Sequence, residues 1–437
     1  MSRFIRASLA TFTGLPAEAV AHAFGERYDL PLPLHLWLAA AGLAVALSFL
    51  VFIIALRRGE RSTRLFLLRI HPRVVGALRV VSLLIFFLVI AAGLFGTQDP
   101  FRNFAPAFVW IAWWIGFTYL TALVGDLWSV LNPWKVLYPK GLFKLPPAVG
   151  AWPAVALLLA FAWIEIVWEG NAVPANIAWL AIGYSLLTWA GMFVFGGEAW
   201  LRSGELFTVY FGFIARLAPI EWRTNGELHL RAPAAGLLDP RPLSSSEAFF
   251  VIVMLTIVTF DGLRETPLWA VSDAHWTAAA TAGLLVMPCV FALIIFGICA
   301  LMGNASAGEL LRLFVPTLLP IALAYHVAHY LSYLLVAGQV VIPLASDPLG
   351  RGWNLFGSAH YQIAVGIVGA RFAWYTSIVV IVAGHVLAMY VAHRLALARF
   401  SERRTARRSQ YPLAALMVAY TMLSLWILAQ PIVETVK

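Results

Sequence analysis

Apolar runs of about twenty residues recur along almost the whole chain, and they constrain its fold more than any other feature. A helix rises about 1.5 Å per residue, so a run of that length reaches across the roughly 30 Å hydrocarbon core of a bilayer. The runs lack strict polar–apolar alternation, which argues for helices rather than barrel strands. Of 437 residues, 62% are hydrophobic and 12% charged, a balance outside the range of soluble domains. The expected fold class is all-α: a polytopic helical membrane protein with about ten transmembrane helices. The spans are predicted at 34–56, 80–95, 107–128, 153–168, 177–195, 248–263, 277–302, 316–339, 372–393 and 412–430.

Thirty Lys and Arg against twenty-one Asp and Glu leave a net charge of +9. The basic residues do not form one nucleic-acid-binding face. They gather in alternate connectors, such as Arg57 to Arg79, Lys135 to Lys144 and Arg394 to Arg408. The positive-inside rule then places those connectors in the cytoplasm and both termini outside. The expected location is a cytoplasmic (inner) membrane, with the lipid bilayer as partner and no nucleic acid. Residues 1–33 read as an extracytoplasmic arm or a weak signal segment. Residues 34–196 form a first five-helix half. Residues 197–246 form a cytoplasmic connector with an interfacial helix and a short strand near ELHL. Residues 247–437 form a second five-helix half. Cys289 and Cys299 share one span, too far apart to pair.

The run 316–339 carries His326, His329, Tyr330 and Tyr333 in its middle. Offsets of three, four and seven residues return to one helix face. A polar stripe at that depth must face protein, water or an ion, because lipid cannot satisfy it. Counting helix rise from the cytoplasmic ends puts Asp261 and His326 roughly 20 Å up. His329 and Glu165 lie slightly higher, and His385 slightly lower. On the ninth span His385, Met389 and His393 repeat at four-residue spacing.

Imidazoles and a carboxylate are the usual ligands of zinc and related ions. His326, His329 and His385 are therefore candidate ligands of a divalent metal, zinc or copper. Asp261 is a candidate ligand or general base, and Tyr330 a candidate hydrogen-bond donor. Arg102 and Arg351 lie in two outer loops of similar sequence, DPFRNF and DPLGRGWNLF, and are candidates for guiding a phosphoryl group. Bland readings stand beside these. Intramembrane histidines commonly tie helices together, buried methionines fill cores, and Asp-Pro is ordinary turn chemistry. Three functions share the polar slab: a metal-assisted hydrolase of lipophilic esters, a transporter or metal-handling permease, and a haem-binding electron carrier with histidine axial ligands.

Several blocks resemble one family of bacterial membrane proteins labelled fenitrothion hydrolase. They include AHAFGERYDLPLP at 21–33, FGTQDPFRNFAPAFVWIAWW at 95–114, LVGDLWSVLNPW at 123–134 and GELFTVYFGFIARLAPI at 204–220. Others are FDGLRETPLW at 260–269, AYHVAHYLSYLL at 324–335, SDPLGRGWNLFG at 346–357, GHVLAMYVAH at 384–393 and SQYPLAALMVAYTMLSLWILAQPIVE at 409–434. The resemblance covers nearly the whole chain. It implies hydrolysis of the aryl phosphoester bond of an organophosphorothioate, a small lipophilic ester, and carries no residue roles with it.

Overall fold

The computed structural model describes residues 27–55, 64–223, 226–269, 275–303 and 305–434. Most of the proposed arm at 1–33 therefore lies outside the described residues. In chain order the principal helices are α1 (Leu34–Ala55), α2 (Pro72–Phe95), α3 (Phe104–Val124), α4 (Trp152–Ile166), α5 (Pro174–Phe195) and α6 (Leu206–Ala215). They continue as α7 (Ser245–Leu263), α8 (Trp276–Met302), α9 (Leu318–Ala337), α10 (Ala370–Arg399) and α11 (Tyr411–Ile432). Among the described residues, strands are confined to five short pieces: β1 (Tyr28–Asp29), β2 (Leu65–Arg69), β3 (Ile220–Trp222), β4 (Glu227–Leu230) and β5 (Val433–Glu434). The protein is all-α, and nine helices among the described residues are long and apolar enough to cross a membrane.

The expected fourth span is shorter than predicted. α4 has 15 residues, about 22 Å of rise. It stops at Ile166 because the chain turns at Glu169–Ala172, where Asn171 donates to the Glu165 carbonyl at 2.7 Å.

The chain divides into two compact units that interleave along the sequence rather than following its two halves. One unit holds 64–230 and 332–368. Within it α2 packs on α5, and α3 opens with ten residues of π-helix, Ala107–Gly116. That wider winding turns Trp110, Ile111, Trp114 and Ile115 inward together. α3 ends at Gly125, whose φ of +92° leaves the helical region. A Cβ there would stand 2.3 Å from the Ile220 carbonyl oxygen, so only glycine fits. β2, β4 and β3 form an antiparallel sheet in that order, closed by an Arg64–Glu221 ion pair at 3.0 Å. The predicted strand at ELHL is thus present as β4.

The segment expected to hold an interfacial helix contains α6. α6 buries Leu206, Phe207, Val209, Tyr210, Phe211, Phe213 and Ile214, leaving no wet face. Its rings sit among Trp113, Trp128 and Trp134; Phe207 lies 4.5 Å from Trp113 edge-on. Glu205, just before α6, is fully buried. Its carboxylate accepts from Phe207 N and Thr208 N at 2.8 Å and so caps α6. It also accepts from Tyr184 Oη at 2.6 Å, Asn132 Nδ2 at 3.3 Å and the Thr208 hydroxyl. Glu205→Ala loses a cap and strands two buried donors. It should cost about 2–4 kcal/mol, read as a lowered Tm in detergent; an unchanged Tm would show that the cap is dispensable.

The second unit holds 26–63, 231–331 and 369–437. α1 belongs to it because α1 packs on α10 and α11, not on its sequence neighbours. β1 pairs in parallel with β5. α7 begins at a reciprocal capping box, Ser244 with Glu247. It is buried on nearly every residue from Ala248 to Gly262, the mark of an apolar helix at a bundle centre. α8 runs beside it. Gly384 on α10 lets that helix close onto α9, since a Cβ there would lie 2.4 Å from Ala324 Cβ.

Candidate functional site

Asp261 is the hub of the second unit's polar residues. It sits in the last turn of α7 with a side chain only 3% exposed. Three donors converge on its carboxylate. Arg264 Nε donates to Oδ1 at 2.7 Å, and a terminal guanidinium nitrogen reaches the same oxygen at 2.5 Å. His329 Nε2 lies 3.1 Å from Oδ2, which the Tyr330 hydroxyl also approaches as donor. Asp261 and Arg264 meet because they are one turn apart at the helix end. His329 and Tyr330 come from α9.

This arrangement selects a tautomer. A carboxylate facing a guanidinium accepts hydrogen bonds. In the neutral imidazole of His329 the hydrogen therefore sits on Nε2, which leaves the lone pair on Nδ1. Burial works against the charge on Arg264, but the Asp261 carboxylate beside it holds the guanidinium above its ordinary pKa. Arg264 and Asp261 are nearly closed off, whereas the His329 side chain keeps 18% of its surface exposed. The imidazole is the accessible end of the network.

The other predicted residues fall as follows. His326 is buried on α9, its ring 4.8 Å from that of Tyr330. Tyr325 is fully buried and its ring tilts against His329 at 6.3 Å. His385 is fully buried on α10; its Nδ1 lies 2.8 Å from the Ile381 carbonyl, and its ring is 5.9 Å from Tyr420. Tyr420 in turn shares a hydrogen bond with Thr259 of α7 at 2.5 Å. Among the described residues, no three His, Cys, Asp or Glu side chains come together as a metal-binding group. His329 spends Nε2 on Asp261, and Asp261 spends both oxygens on donors. Glu165 belongs to the first unit, where it accepts from Trp114 Nε1 at 2.9 Å.

Arg102 and Arg351 also belong to the first unit, and their two loops are joined. Thr97 N donates to Leu349 O at 2.8 Å, and Phe104 N to Pro348 O at 3.1 Å. Arg351 donates to the Phe95 carbonyl at 3.0 Å. Asp99 and Asp347 accept from backbone N–H groups of their own turns. Both arginines are exposed. Arg264 was not among the residues singled out from the sequence. The signal was present, since Asp261 and Arg264 stand at helix spacing in FDGLR.

The fold and this network define the class: a polytopic helical membrane protein with a buried Asp–Arg–His–Tyr network. Comparison with family models, curated proteins and solved structures gives no significant match.

Proposed function

We propose that this chain is a membrane-embedded hydrolase of lipophilic phosphate or phosphorothioate esters, with His329 as its general base. The observation that carries the reading is the Asp261–His329 contact at 3.1 Å, with 18% of the His329 side chain left exposed. A carboxylate that fixes the tautomer of a histidine and steadies the imidazolium is the logic of hydrolytic dyads. His329 Nδ1 would take a proton from water as the water oxygen bonds to phosphorus. The phosphorus–aryloxide bond breaks, and the imidazolium returns its proton to the departing phenoxide. Arg264 and the Tyr330 hydroxyl hold Asp261 ionised and in place. The resemblance to fenitrothion hydrolase proteins supports the substrate class, and the apolar helices suit a substrate that partitions into lipid. The setting is an inner membrane with both termini outside.

A divalent metal held by His326, His329 and His385 is the competing form of the same reading. Purified protein in lipid vesicles should release nitrophenol from an aryl phosphotriester faster than vesicles alone. Metal content and a visible spectrum of the same sample separate the base-driven, metal-driven and haem readings. Folded protein that released nothing above background would contradict the hydrolase. If Arg102 recruits the phosphoryl group, Arg102→Ala should raise KM and leave kcat unchanged; an unchanged KM would show that the arginine has no part in recruitment.

A further inference from the structure

His385, Met389 and His393 lie one turn apart on a single face of α10, and all three are buried. The ring nitrogens of both histidines are sorted the same way. His385 Nδ1 lies 2.8 Å from the Ile381 carbonyl, which can only accept, so Nδ1 carries the hydrogen. His393 Nδ1 lies 3.1 Å from Gln410 Oε1, an acceptor because Gln410 Nε2 donates to the Ala406 carbonyl. Each Nε2 is therefore a lone pair, and each is buried with no hydrogen-bond partner among the described residues. Buried polar atoms are seldom left so. An imidazole whose other nitrogen donates to a fixed acceptor is oriented as metal-binding histidines are.

The facing helix supplies a further soft donor. α11 runs antiparallel to α10, with Gln410 level with His393 and Tyr420 level with His385. Met417 lies three residues from Tyr420 towards Gln410, about 4.5 Å along the axis. Met389 lies four residues from His385 towards His393, about 6 Å along. The two thioethers therefore share one level. Gln410, Leu413, Met417, Tyr420 and Ser424 repeat at three- and four-residue spacing and are all buried, so Met417 lies on the face that meets α10.

We propose that His385 Nε2, Met389 Sδ and Met417 Sδ form a binding site for a soft monovalent cation, Cu(I) or Ag(I), with His393 Nε2 as a second station one turn below. Thioether sulfur with neutral imidazole selects Cu(I) over hard divalent ions. No carboxylate is needed, because the ion carries a single charge. Nothing in the hydrolytic dyad takes part, so this site stands whether or not that reading does.

The test is Ag(I) binding to the purified full chain in detergent, by calorimetry and by metal content after desalting. A Cys289→Ser/Cys299→Ala background removes competing thiols. Met389→Leu/Met417→Leu keeps side-chain volume and should weaken binding by roughly tenfold or more for each ligand lost. His329→Gln should leave it unchanged. X-ray absorption of the Cu(I) form should show sulfur in the first shell. Equal Ag(I) affinity with and without Met389 and Met417, or no binding by the parent, would overturn the site.

Discussion

Asp261→Ala should be the most damaging single substitution in the second unit, costing about 3–5 kcal/mol. The mutation deletes the partner of a guanidinium whose own side chain is only 3% exposed. A buried cation left without its carboxylate keeps the full cost of leaving water and loses what offset it. His329 and Tyr330 would lose their acceptor in the same stroke. Arg264→Met should hurt less, because a neutral chain of similar length replaces the cation and Asp261 can take a proton. The double variant Asp261→Leu/Arg264→Met should regain most of the lost Tm, since an apolar pair of similar volume often equals a buried ion pair. Thermal melts of the three variants in one detergent check this. Additive losses in the double variant would show that the two side chains are not paired.

His329→Gln should lower turnover by about 10²–10⁴, the usual contribution of a positioned general base. Glutamine can still donate to Asp261 but has no basic nitrogen for water. Its melting point should move little, because the side chain is partly exposed and the contact to Asp261 is kept. Tyr330→Phe should cost roughly 1 kcal/mol, the net worth of one hydrogen bond, and slow the reaction far less. A His329→Gln enzyme with wild-type kcat would remove the imidazole from the chemistry.

Much of the architecture was legible because span length is a blunt physical requirement. The run at 316–339 was visible as a polar stripe, and the structure puts His329 and Tyr330 of that stripe on Asp261. Two features were not legible. One is the burial around α6, since sparse charges do not show that Glu205 is consumed by backbone, Tyr184 and Asn132 donors. Helix rise gives depth but not rotation. His385 came out near the height of His326, yet its bonds run to its own helix and its ring to Tyr420.

If Asp261 orients His329 for chemistry, it does more than pin α7 to α9. The most direct test is nitrophenol release by the Asp261→Leu/Arg264→Met variant beside the wild type, at equal amounts of folded protein. The expected result is a variant that melts near the wild-type temperature and releases almost nothing, because its imidazole has lost the carboxylate that fixes its tautomer. Wild-type turnover from that folded variant would contradict the account and leave the network a structural clasp.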